Sequence, residues 1–360
     1  MPNEVGLSPQ DDVEVVLGRA PVGSCVIISS GEYRRGIRVV KPLTLLGDGF
    51  GEVTVGNGGI DIATEATLRG LHLVGRDGSS TVNVRRSGSI RLEECEIESS
   101  FSNACCLSIS GGHSDIRNCV FKGGKTGIRI EKGAADALVR DCSFLKQDSH
   151  GVVIHSSKVR IMDCRITGVT GGQLGASIYI EDCSPELIQC DVRDGICVGI
   201  SVHGNAARPN IARCTVRGSD GISFIGGSTG TVEDCTFEGR GAWGVYIGNG
   251  CHALIARCQI SDYIIGIQEP TISTGNFIQS ASTTIEKCSI TRSAATGISI
   301  MNTAPVIVDC TITDNYRGIG IEGSGTPTIA SCRIDANEDG NVSRRNKDKG
   351  RWEEIWAGHH

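Results

Sequence analysis

A chain of 360 residues with a net charge of −6 and no basic run outside its extreme C-terminus lacks the electrostatic footprint of a nucleic-acid binder, so DNA and RNA are not expected partners. Forty-nine glycines against only 4% aromatic residues point to many short strands and turns. No stretch approaches the roughly 18 apolar residues of a membrane span, and the opening MPNEVGLSPQDDVEVV has neither the basic start nor the apolar run of a secretory leader. A soluble, cytoplasmic protein with no membrane partner is expected.

Residues 1–30 read as an N-terminal cap. In LSPQDDVEVVLGRAP, Ser8 suits an N-cap, Pro9 the first helical position and Gly18 the stop. The short helix so predicted would cover an open sheet end, which is otherwise an exposed edge.

From residue 31 to 336 the sequence repeats. Eleven cysteines recur in one frame, as in EECEI (Cys95), RNCVF (Cys119), MDCRI (Cys164), EDCTF (Cys235) and ASCRI (Cys332), mostly 21 to 26 residues apart. A second ladder runs in phase: GIRI at 127, GVVI at 151, SIYI at 177, GISV at 199, GISF at 221, GVYI at 244, GISI at 297 and GIGI at 318. Each repeat thus holds three short apolar stretches separated by turn residues, too short for helices. Such a unit cannot bury its apolar faces alone, but stacked copies can. The fold class that follows is all-β: a single-stranded right-handed parallel β-helix of about 12 coils of three short strands, with a capping helix before it and a polar tail after it. The seventeen cysteines are an odd number, so complete disulfide pairing is impossible. In the CxI strand the Cys and the Ile should share the inward face, which makes the ladder a stack of inert buried thiols.

The two ladders resemble the pectin-lyase-like superfamily over roughly residues 30 to 336, and GEYRRGIRVVKPLTLLGDG (31–49) and TLRGLHL (67–73) are similar to its opening coils. The resemblance implies a groove on the outside of the GIxI sheet that binds polysaccharide, and members that are lyases, glycoside hydrolases or C5-epimerases. Their catalytic motifs do not carry over: there is no Tyr-Gly-x-Asp-Pro-His motif, and VHGN at 202–205 only partly echoes Gly-His-Gly.

Site candidates therefore come from strand alternation, which sends every second side chain outward. Rung by rung, the outward positions of the GIxI strand are Arg129 and Glu131, Val153 and His155, Tyr179 and Glu181, Ser201 and His203, Ser223 and Ile225, then Tyr246 and Gly248. Glu131, His155, Glu181 and His203 form one column, with Arg129, Tyr179 and Tyr246 beside it. Carboxylates next to imidazoles can hold a proton near neutral pH, which suits general acid and base work. His155, Glu181, His203, Tyr179 and Glu131 are the catalytic candidates; Arg129, Tyr246, Asp148 and Asp194 are the substrate-binding ones. An opposite-charge ladder would equally stabilise an exposed sheet, by about 0.2 to 1 kcal/mol per pair. The charged column stops at Ile225, Gly248 and Met301, which a solubility ladder has no reason to do. Asp148, Asp194, Asp220 and Asp262 lie in turns, where aspartate is also a turn former. Insertions at 167–177 (TGVTGGQLGAS) and 268–282 (QEPTISTGNFIQSAS) flank this face, either as walls of the groove or equally as tolerated surface excursions.

His155 and His203 over Glu181 have the spacing of a two-His, one-carboxylate metal set, but no metal and no cofactor is assigned. Residues 337–360 read as a polar tail in which Trp352, Ile355 and Trp356 have helical spacing, a second cap. The functional expectation is an intracellular β-helix enzyme that moves protons on a sugar-like or other anionic substrate, as a lyase, epimerase, isomerase or cyclase. The alternative is a non-enzymatic scaffold that binds a protein partner or carbohydrate.

Overall fold

The computed structural model describes residues 3–49, 51–171, 175–218, 220–269, 283–346 and 351–356. The chain divides into two units, Met1–Tyr179 and Ile180–His360. Each is a parallel β-helix of three short strands per turn, and across both units the three sheets hold 15, 15 and 14 strands, about fourteen turns where about twelve were expected.

In the first unit one turn runs Ser89–Glu93, Glu96–Ser99, Cys105–Ile109. Register is set by the buried side chains: Leu92 lies opposite Leu68 and Ile116, Ile97 opposite Leu73 and Phe121, and Leu107 opposite Val82 and Ile128. These residues expose 0% of their surface, and a one-residue slip would turn every one of them outward. Phe121 and Phe144 stack inside at 5.0 Å.

The second unit repeats this with Asn210–Ala212, Thr215–Gly218 and Ile222–Ile225. Ile222 sits between Ile200 and Val245, all fully buried. One of its corners carries asparagines inside: Asn315 Nδ2 donates to the carbonyls of Ile290 and Thr313, and Asn315 Oδ1 accepts from the Ser293 amide at 2.9 Å. Neighbouring turns are thereby tied by side-chain amides as well as by strands.

The ladder cysteines point inward as expected, but they stand at a corner and not within a strand. The residue before each adopts a left-handed conformation: Asn118 (φ 52°), Asp141 (55°) and Asp163 (53°) in the first unit, Arg213 (54°), Arg257 (53°) and Lys287 (53°) in the second. That single residue redirects the chain from one sheet to the next. The thiol then donates to the carbonyl two residues back, 3.1 Å for Cys119 on Arg117 and 3.3 Å for Cys258 on Ala256. A small side chain that packs like an apolar group and still donates suits this place. Fifteen of the seventeen cysteines are buried.

Both ends depart from expectation. The N-terminal strand Glu4–Leu7 already pairs in parallel with Cys25–Ile28, so the helical stack begins within residues 1–30. Helix α1 (Val13–Arg19) is capped by Asp12, whose side chain accepts from the Val15 amide at 3.2 Å. Ser8 instead binds Asp11 through both its amide and its hydroxyl; a nearby carboxylate has captured both donors, and the helix starts later. At the other end Val342–Arg345 continues the parallel stack onto Ile319–Glu322, beyond residue 336. Trp352–Trp356 is an antiparallel strand on it and not a helix. The last turn exposes unpaired backbone groups, and a strand satisfies them where a helix would not. No helix among the described residues is long and apolar enough to cross a membrane.

Candidate functional site

The nominated residues lie on GIxI strands or directly after them, except Asp148 and Asp194, which lie in turns. In the first unit strand Thr126–Ile130 pairs with His150–Ile154, which sets Arg129 against Val153. The His155 amide donates to Ile130, placing His155 one rung from Glu131. Arg129 and Glu131 form an ion pair at 3.5 Å, each more than a third exposed. Val153 faces outward yet is only 2% exposed, so this part of the face has an apolar floor covered by its neighbours.

Tyr179 stands among imidazoles. Its ring centre lies 5.3 Å from that of His150 and 6.5 Å from that of His155, both edge to face. His150 Nδ1 is 2.8 Å from Ser149 Oγ. His150 escaped the alternation argument because it precedes the apolar GVVI run and pairs with Thr126 at the strand start. A phenol beside two imidazoles can give and take protons.

In the second unit the outward register is also as expected: Ser201 beside Ser223 and His203 beside Ile225, with Tyr246 next to Ser223. His203 Nε2 lies 2.7 Å from Ser201 Oγ, which lies 2.9 Å from Ser223 Oγ. Burial lowers the His203 pKa, and the Glu181 charge opposes the shift without cancelling it. Burial raises the Tyr246 hydroxyl; its ring packs at 4.9 Å on Trp243.

The turn aspartates mostly do turn work. Asp194 is exposed at φ 54°, and Asp148 is exposed. Asp220 accepts from the amides of Ala242 and Trp243 at 2.5 and 3.4 Å. Asp262, at φ 68°, pairs with Arg292 at 2.6 Å, a contact that holds its carboxyl below the usual range. The two insertions fall partly outside the described residues, which exclude 172–174 of the first and 270–282 of the second.

Two clusters were missed in the sequence because only rung register brings their members together. His113 Nδ1 bonds Asp136 on a different sheet of the first unit, at a groove of about 410 Å³ that Arg91, Lys158 and Arg160 also line. His72, Glu96 and Glu98 place three donor atoms within 4.8 Å of one another, but the Lys122 ammonium already bonds Glu96. A cavity of about 900 Å³ lies away from the GIxI centre, between the start of α1 and residues 29–36. Its lining includes Asp11, Asp12, Glu14, Glu32, Arg34 and Arg35.

The chain matches the family model described as "Right handed beta helix region" over residues 58–216 and 198–348. Among solved structures it resembles the catalytic unit of a GH87 α-1,3-glucanase from Streptomyces thermodiastaticus, at 16% identity and TM-score 0.50, over 89% of this chain and 64% of that one, less than two thirds of its length. It also resembles a GH87 α-1,3-glucanase catalytic domain in complex with tetrasaccharides, at 13% identity and TM-score 0.53, over 96% of this chain and 68% of that one. A third likeness is to a double mutant of the periplasmic alginate epimerase AlgG, at 10% identity and TM-score 0.56, over 91% of this chain and 83% of that one. A search among curated proteins returns no match. At these identities the structural likenesses establish the fold.

Proposed function

The chain belongs to the right-handed β-helix family, and we propose that it is a carbohydrate-active member that transfers protons on an anionic saccharide at the outer face of its GIxI sheet. The observation that carries this reading is Tyr179 set between His150 and His155, with Arg129 on the same face. The named activities of the similar structures, on α-1,3-glucan and on alginate, agree with a saccharide ligand.

In this reading Arg129 holds the substrate carboxylate, which acidifies the adjacent C–H. His155 takes that proton. For a lyase, the C–O bond to the leaving sugar then breaks and Tyr179 protonates the departing oxygen; for an epimerase, Tyr179 returns a proton to the opposite face of the carbon. His150 orients the phenol, and Glu131 restrains Arg129. In the second unit Glu181, His203 and Tyr246 lie on GIxI strands of that unit and give it a polar surface of its own. A cytoplasmic location is part of this proposal, and an odd number of cysteines, most of them buried, is compatible with it.

The test is a panel of uronate-containing oligosaccharides in deuterated water, followed by NMR for solvent exchange at the acidic carbon and by absorbance for the unsaturated product. Exchange or elimination that falls about 100-fold or more in Tyr179→Phe and His155→Ala, with unchanged melting temperature, supports the proposal. A purified chain that captures one stoichiometric protein and shows no exchange with any saccharide sinks it in favour of a scaffold.

A further inference from the structure

We propose that Ser201 is a second chemical centre, a hydroxyl nucleophile that accepts the acyl group of a carboxylic ester with His203 as its base. Ser201 and His203 face outward from one strand, Val198–His203, with Oγ 2.7 Å from Nε2. A serine hydroxyl is a weak nucleophile until a base within hydrogen-bond reach removes its proton, and that base has to be neutral. Partial burial keeps the His203 ring neutral against the nearby Glu181 charge. Ser201 is also held in place: its Oγ meets Ser223 Oγ at 2.9 Å, and the two residues expose 5% and 2% of their surface.

The next rung supports an ester over a second anion. Ile225 stands beside His203 and exposes 39% of its surface, and Tyr246 stands beside Ser223. This apolar margin, where the charged column ends, fits the acyl side of an ester. In the reaction the Ser201 Oγ–H proton passes to His203 Nε2 as the Oγ–C bond forms. The ester C–O bond then breaks, and the leaving alkoxide takes the proton from Nε2. Water, deprotonated by the same nitrogen, attacks the acyl-serine and releases the carboxylic acid, restoring Ser201. No oxidant or metal is required.

The full chain should be treated with a fluorophosphonate and mapped by mass spectrometry, and separately mixed with p-nitrophenyl acetate. The expected results are a single stoichiometric adduct on Ser201, a burst of one p-nitrophenolate per chain, and a labelling rate that falls roughly 100-fold in His203→Ala. In the unsubstituted chain the labelling rate should follow a single titration centred below the ordinary histidine value of 6.5, a readout that needs no variant to fold. An adduct on another residue, no adduct, or labelling independent of pH overturns the assignment. The proton-transfer reading fails separately: loss of saccharide turnover would leave the Ser201 adduct intact, and absence of the adduct would leave solvent exchange intact.

Discussion

Asn118 and Cys119 share one corner of the first unit: Asn118 takes a left-handed φ of 52°, and the Cys119 thiol donates to the Arg117 carbonyl at 3.1 Å. The Asn118 amide donates to the Arg140 carbonyl one turn on, at 3.2 Å. One residue bends the chain, the next fills the bend, and the backbone bond to the following turn survives. Repetition of this corner, more than any single contact, makes the three sheets stack.

The corner yields a stability prediction where the bending residue is poorly suited to it. Lys287 sits at φ 53° with its side chain exposed and its amide bonded to Val308 at 3.0 Å. A non-glycine residue in this region costs about 1 kcal/mol, and asparagine bears it better than lysine or any β-branched residue. Lys287→Asn should raise unfolding stability by about 0.5 kcal/mol and Lys287→Val should lower it by about 1 kcal/mol, read as midpoint shifts in urea at constant m-value. Equal midpoints for the two variants would remove backbone strain from the account.

Thiol reactivity should separate two half-exposed cysteines from the buried ones. Cys105 and Cys332 are half-exposed, and the other fifteen are buried. Burial pushes the Cys106 thiol up to about 12, so hardly any thiolate is present at neutral pH. Native protein should therefore alkylate quickly at two positions, identified by peptide mapping, and at the remainder only after denaturation. Rapid labelling of Cys142 or Cys164 in native protein would contradict the buried stack.

Much of this was visible in the sequence, because a β-helix writes its period directly: the spacing of Cys and of GIxI located the turns and the inward and outward faces. The left-handed corner was not visible, since Arg213, Arg257 and Lys287 are not residues that announce a positive φ. Trp352 was misread for another reason. Its helical spacing with Ile355 is genuine, but the unpaired backbone of the last turn decided the outcome. His113 and Asp136 lie 23 residues apart and meet only because strand register sets them opposite each other, which no local pattern encodes. Within the candidate site, alternation found Tyr179 and His155 but passed over His150, which starts its strand ahead of the alternating run.

The C-terminal strand depends on one arginine. The Arg317 side chain is 8% exposed, its guanidinium lies 4.0 Å from the Trp352 ring centre, and it bonds Asp339. Stacking of this kind contributes about 0.5 to 2 kcal/mol. Arg317→Ala should free Trp352–Trp356 before the rest of the chain unfolds, seen as a red shift in tryptophan emission and faster hydrogen exchange at residues 343–345. Arg317→Lys should show part of both effects, because it keeps the charge and loses the flat stacking surface. An unchanged emission spectrum in Arg317→Ala would mean that the backbone pairing alone holds the strand.

Glu269 gives a pH dependence with a definite sign. It ends strand Ile265–Glu269 opposite Ile300, is 2% exposed, and accepts a hydrogen bond from Thr303 Oγ1 at 2.7 Å. Burial raises its pKa above the ordinary 4.5, outweighing the hydrogen bonds from Thr283 and Thr303. The folded chain therefore holds this proton more tightly than the unfolded chain does. Its contribution to stability is fully present below the unfolded value and is lost as pH rises through the raised folded value. Glu269→Gln keeps an acceptor for Thr303 and cannot ionise, so it should gain on the unsubstituted chain as pH rises from 5 to 8. The paired measurement removes the opposite slopes of Asp234 and Asp262, whose arginine partners lower their pKa values in both proteins. Urea midpoints at several pH values give the difference directly. Parallel curves for the two proteins would show that Glu269 ionises in the folded chain at no cost, and that water or a rearranged partner reaches it inside the stack.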